Sequence, residues 1–123
     1  MNLIKLDLTG QQIYDLLNQQ WNSKRTQGQF LQVSGLTYTW DASKPAGQRI
    51  VAVMKDGQSL QTGKVYTVAV NEYLAGGGDD FTVLTQGRHP VVGPFVADAL
   101  IQYVQTQPQP LNADIAGRIS RLN

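Results

Sequence analysis

The chain has 123 residues, 41% of them apolar and 15% charged, with ten basic against nine acidic side chains. That length suits one domain with a real core, read here as residues 1–123. A net charge of +1 gives no electrostatic footprint for a nucleic acid or an anionic membrane. Cysteine is absent and His89 is the only histidine, which excludes disulfides, thiolate metal sites, cysteine nucleophiles and any site needing two histidine ligands. No apolar run approaches the roughly 20 residues that span a bilayer, and the first residues do not read as a secretory leader. The chain holds 15 Gln but only one Glu, Glu72, so uncharged polar groups do much of the solvating.

Residues 3–8 place Ile4, Leu6 and Leu8 on one face of a strand. Thr9 then reads as an N-cap, and Gln12 completes a capping box. Ile13, Leu16, Leu17 and Trp21 follow at helical spacing, which predicts a helix over 10–20, and the polar stretch 22–29 reads as a loop. Strands are expected at Phe30–Val33 and Leu36–Trp40, broken at Ser34-Gly35, with turn chemistry from Asp41 to Gly47. Residues 49–55 are apolar on both faces, as in a central strand; Asp56-Gly57 is a tight-turn pair; 65–70 is the segment richest in β-formers. From Asn71 to Phe81 no period is visible, and Thr82–Leu84 reads as a brief strand. Phe95, Val96, Ala99, Leu100, Tyr103 and Val104 recur at three and four, predicting a helix over 94–106 that opens on Pro94. Residues 111–123 carry a weak strand pattern. Many strands, hairpin turns and two main helices predict an α+β domain with a mixed sheet.

Chemistry concentrates in the segment 71–81. Gly76, Gly77 and Gly78 let the backbone turn tightly and let a ligand approach, Asp79 and Asp80 follow directly, and Tyr73 and Phe81 flank them. The segment is either a tight loop whose Asp caps its own backbone or a binding loop. It is a poor phosphate cradle, since the Lys-Ser/Thr of a P-loop is missing and two acids repel phosphate. Adjacent carboxylates also point in different directions, which is unfavourable for glycoside hydrolysis. His89, in Gly87-Arg-His-Pro90, reads as an exposed loop residue, and Ser34 has no histidine partner in sight. Phe30 opens a strand after a polar loop, as a core residue or as a platform for a planar ligand.

Several segments, in order, resemble the C-terminal domain of the 5'-nucleotidase family. They are Leu8-Thr-Gly10, Gln29-Phe-Leu-Gln-Val-Ser-Gly35 with Leu36-Thr-Tyr-Thr-Trp-Asp41, Pro45-Ala-Gly-Gln-Arg-Ile50, Tyr66-Thr-Val-Ala-Val-Asn71, Tyr73-Leu-Ala-Gly-Gly-Gly-Asp79 and Ala116-Gly-Arg-Ile119. The resemblance covers nearly the whole chain. It implies a domain that holds a nucleoside beside an N-terminal metallophosphoesterase domain carrying two divalent metal ions and the catalytic residues. By this resemblance Phe30 and Tyr73 clamp the base, and Asp79 accepts hydrogen bonds from the ribose hydroxyls. Gly77 and Gly78 let the loop pack beside the ligand, and Gln32 reaches the base edge. A carboxylate suits a vicinal diol because it only accepts.

Two departures stand out. Asp80 occupies a position where the family usually has glycine, and the family's metal-binding motifs and its Asn-Gly-Gly-x-Arg segment are missing. The expectation is a piece excised from a longer hydrolase, with no cofactor in this chain, inactive alone, acting on 5'-nucleotides, 2',3'-cyclic nucleotides or UDP-sugars. Its place by resemblance is extracellular, periplasmic or cell-wall-associated in a bacterium. The competing expectation is a non-catalytic nucleotide- or partner-binding module of a cell-surface protein.

Overall fold

In the computed structural model, which describes residues 2–21, 30–104 and 118–123, two β-sheets enclose the apolar face of one helix. β1 (Leu3–Thr9) buries Leu6 and Leu8 and turns directly into α1 (Gly10–Asn18). The turn is the expected capping box. Thr9 Oγ1 accepts from the Gln12 amide at 3.1 Å, and Gln12 Oε1 accepts from the Thr9 amide at 2.9 Å. Two amides that a helix start leaves orphaned are thereby satisfied. Ile13, Leu16 and Leu17 are fully buried on the inner face of α1.

The remaining strands are β2 (Phe30–Ser34), β3 (Thr37–Asp41), β4 (Ile50–Lys55), β5 (Gln58–Ser59), β6 (Val65–Asn71), β7 (Arg88–Val92), β8 (Ala99–Val104) and β9 (Ile119–Leu122). One sheet runs β2-β8-β6-β1-β7, with β6 and β8 parallel and the other neighbours antiparallel. The other runs β5-β4-β3-β9, with β3 and β9 parallel. Asp56 and Gly57, at φ 52° and 77°, make the expected two-residue link between β4 and β5. Leu31, Val33, Val53, Val68, Val70 and Ile101 meet α1 in a shared core. Among the described residues the α-helices are α1 and the one-turn α2 (Glu72–Ala75).

Two contacts, one of them fully buried, tie the sheets together. Gln20 is buried, and its Oε1 accepts from Leu31 N at 2.8 Å and from the Tyr38 hydroxyl at 3.2 Å, while Nε2 donates to Leu17 O at 2.9 Å. Beside it the Trp21 and Trp40 rings lie 4.8 Å apart, with the Arg49 guanidinium over Trp21 and that of Arg121 over Trp40. Burial pushes the Tyr38 phenol above the usual tyrosine range, opposed by the Gln20 hydrogen bond. The folded protein therefore keeps this proton where the unfolded chain releases it. The stabilisation is complete below about pH 10 and is lost progressively above it. Tyr38→Phe is expected to flatten the alkaline limb of a pH–Tm profile, at a neutral-pH cost of about 1 kcal/mol.

Three expectations are corrected. Residues 99–104 form β8, not part of a helix over 94–106; positions 105 and 106 lie outside the described residues. Ala99, Ile101 and Tyr103 also alternate, and pairing with both β2 and β6 selects the strand. Thr82–Gln86 is a 3-10 turn, not a strand. Arg88–Val92 is an edge strand against β1, not a loop. There His89 Nδ1 lies 2.9 Å from Asp7 Oδ2, on the opposite edge of the sheet from β2. The loop expected at 22–29 and residues 111–117 lie outside the described residues.

Candidate functional site

β6 ends at Asn71, whose side-chain oxygen accepts from Leu74 N at 2.8 Å and so caps α2. Leu74 is fully buried and anchors this turn, which leaves Tyr73 outside with 45% of its surface exposed. Gly76 N donates to Glu72 O at 3.2 Å and Gly77 N to Leu74 O at 2.9 Å, closing the turn. Gly77 then adopts φ 88°, the left-handed region where a Cβ is costly.

Gly78 is glycine for another reason. A Cβ there would fall 2.5 Å from two ring carbons of Tyr73. The Gly78 backbone therefore lies against the Tyr73 ring and backs it. Asp79 and Asp80 follow at φ 53° and 65°. Left-handed backbone costs an ordinary side chain roughly 1–2 kcal/mol, and Asp is among the few that visit it. Asp80 thus occupies a conformation that favours glycine. Phe81 ends the loop. It is fully buried, and its amide donates to Gly78 O at 3.2 Å.

Beneath the loop lies Tyr103, on β8 and not on the helix expected over 94–106. Its ring centroid is 6.3 Å from that of Tyr73 and 6.2 Å from that of Phe81. The signal that could have found it is the Ala99, Ile101, Tyr103 alternation.

Tyr73, Gly77, Gly78 and Asp79 therefore come together in one short segment. Phe30 and Gln32 stand on β2, opposite Val104 and Gln102 of β8. Because β8 is parallel to β6 and antiparallel to β2, the start of β2 and the end of β6 meet the same end of the sheet. The topology thus carries Phe30 and Tyr73 to one end, with one strand between theirs. Phe30 itself is buried at 7% exposure, its ring edge-on to Trp21 at 6.2 Å. Gln32 is half-buried. A ligand that stacks on Phe30 needs that ring turned away from Trp21.

Among the described residues no group of three or more His, Cys, Asp or Glu side chains comes together to hold a metal ion. No donor set among the described residues fits a two-metal centre. No helix among the described residues is long and apolar enough to cross a membrane.

A family model described as the 5'-nucleotidase, C-terminal domain, matches residues 1–86. The chain is 32% identical over 119 residues to "Endonuclease YhcR" of Bacillus subtilis, covering 95% of this chain and 9% of that protein. It is 33% identical over 105 residues to "Cell wall protein Lmo0130" of Listeria monocytogenes, covering 83% of this chain and 13% of that one. The crystal structure of a 5'-nucleotidase precursor from Thermus thermophilus superposes with a TM-score of 0.71 at 34% identity, over 99% of this chain and 25% of that chain. The chain spans a quarter or less of each of these proteins.

Proposed function

The chain belongs to the 5'-nucleotidase C-terminal domain family, and we propose that it is the nucleoside-recognition part of a longer phosphoester hydrolase. The observation that carries this is the Tyr73–Gly78–Asp79 unit: an exposed aromatic ring, backed by a glycine, next to a carboxylate on a strained loop. The base stacks on Tyr73, with Phe30 closing the other side once its ring leaves Trp21. The Asp79 carboxylate accepts from the ribose hydroxyls, and Gln32 reaches the base edge. The uncharged end of the nucleotide is thus gripped by stacking and hydrogen bonds. Two divalent ions held by an N-terminal metallophosphoesterase domain of the longer protein would supply the activation of water and the charge stabilisation of the phosphate.

Substrates in this reading are nucleoside 5'-phosphates, 2',3'-cyclic nucleotides or UDP-sugars. A cell-wall or otherwise extracellular setting is supported by the Listeria relative's name. A second reading is a nucleotide- or partner-binding module without hydrolysis, favoured by how small a part of differently named relatives the chain matches.

The test is an NMR titration with adenosine and with 2',3'-dideoxyadenosine. Asp79→Ala is expected to weaken adenosine binding by about 10- to 100-fold, as for a hydrogen bond to a charged group. Dideoxyadenosine binding, which lacks those bonds, stays unchanged by the substitution. Equal effects on both ligands would remove Asp79 from the ribose. The chain alone is expected to hydrolyse no nucleotide with or without added divalent metal, and metal-dependent phosphatase activity in it would defeat the assignment.

A further inference from the structure

We propose that Gln19 is a positioning residue for the Asp79 loop, capping from the end of α1 the turn that follows Phe81. The proposal rests on the nucleoside-binding reading of that loop. The 3-10 turn Thr82–Gln86 begins at Phe81, which supplies no side-chain cap. A helical start leaves amides without partners. Gln19 provides the missing cap from a distant part of the chain. Its Oε1 accepts from Val83 N at 3.1 Å, and its Nε2 donates to Thr82 Oγ1 at 2.8 Å. One amide thus holds two consecutive residues.

Those residues are mechanically close to the site. Phe81 N donates to Gly78 O and Leu84 N to Phe81 O, each at 3.2 Å. From Gly78 to Leu84 the backbone is therefore a series of linked turns, with Asp79 and Asp80 inside the first. Left-handed backbone at two successive aspartates persists only where the surroundings over-determine it. On one side Gly78 is set against the Tyr73 ring, and on the other Phe81 is buried. Gln19 adds the polar tie that sets where Thr82 and Val83 leave the loop. A nearby contact supplies a control: Gln12 Nε2 reaches Gln86 Oε1 at 3.5 Å on the exposed surface, at the far end of the same turn.

The experiment compares ¹H–¹⁵N spectra, amide exchange and adenosine titration for the wild type, Gln19→Met, Gln19→Glu, Gln86→Ala and Tyr73→Ala. Gln19→Met keeps the bulk and loses both hydrogen bonds. It is expected to speed exchange of the Asp79–Phe81 amides about tenfold and weaken adenosine binding about fivefold. Gln19→Glu still accepts from Val83 N, and its second oxygen accepts from the Thr82 hydroxyl, so it restores wild-type behaviour. Gln86→Ala, which removes only the exposed contact and leaves the capping box intact, moves neither readout.

The proposal is overturned if Gln19→Met leaves the Asp79–Phe81 amides unchanged. It is also overturned if faster exchange spreads equally over β6 and α1, or if Gln19→Glu is as damaged as Gln19→Met. If adenosine binds neither wild type nor Tyr73→Ala, the nucleoside reading falls and this assignment with it. Loss of binding in Tyr73→Ala but not in Gln19→Met removes Gln19 alone.

Discussion

Phe81→Ala is expected to lower stability by about 3–5 kcal/mol, the range for deleting a buried aromatic side chain. The Phe81 ring is fully buried and packs edge-on against Tyr103 of β8. Its removal leaves a cavity under the loop and takes away the anchor that ends the left-handed pair Asp79–Asp80. The cost combines lost apolar transfer with a cavity that the surrounding sheet can only partly fill. Urea unfolding followed by tryptophan fluorescence measures it, with a lower midpoint and an unchanged slope. A loss under about 1 kcal/mol would mean that the ring is not a core anchor.

Gly78→Ala is expected to do the reverse: little harm to stability and a large loss of ligand affinity. The new methyl would sit 2.5 Å from the Tyr73 ring carbons. What must move is a half-exposed side chain rather than backbone. Alanine also restricts the unfolded chain, which offsets part of the cost, so the net stability change stays within about 1 kcal/mol. The displaced ring no longer presents its stacking geometry. Adenosine affinity then falls about tenfold or more, as far as in Tyr73→Ala, because aromatic–base stacking contributes roughly 1–3 kcal/mol. The double substitution should lose no more than either single one. Additive losses would show that Gly78 acts on the ligand directly and not through Tyr73.

These two substitutions lie three residues apart and separate what was legible from what was not. The glycine run, Tyr73, Asp79 and Asp80 were readable as a candidate loop from residue type and order. The capping box at Thr9 and Gln12 was readable too, because both partners sit within one turn. Tyr103 was not. Its neighbours satisfy the helical period and the strand alternation equally, and only pairing with β2 and β6 decides between them. The same holds for Gln19, one of many glutamines, whose bonding partners Thr82 and Val83 lie more than 60 positions away. Phe30 is an intermediate case. Its type marked it as core or platform, and the structure buries it against Trp21.

By itself the sequence determined the absence of thiol chemistry, the near-zero net charge, the local turns and caps, and the family resemblance carried by ordered motifs. Each of these depends on residue type or on partners a few positions apart, where the chain has little freedom to rearrange. Tertiary structure decided that residues 99–104 are a strand, that the starts of β2 and α2 share one end of a sheet, and that Gly78 backs Tyr73. Those outcomes depend on which distant strands pair and on which surfaces then come into contact. A short apolar run has no preference strong enough to settle them alone.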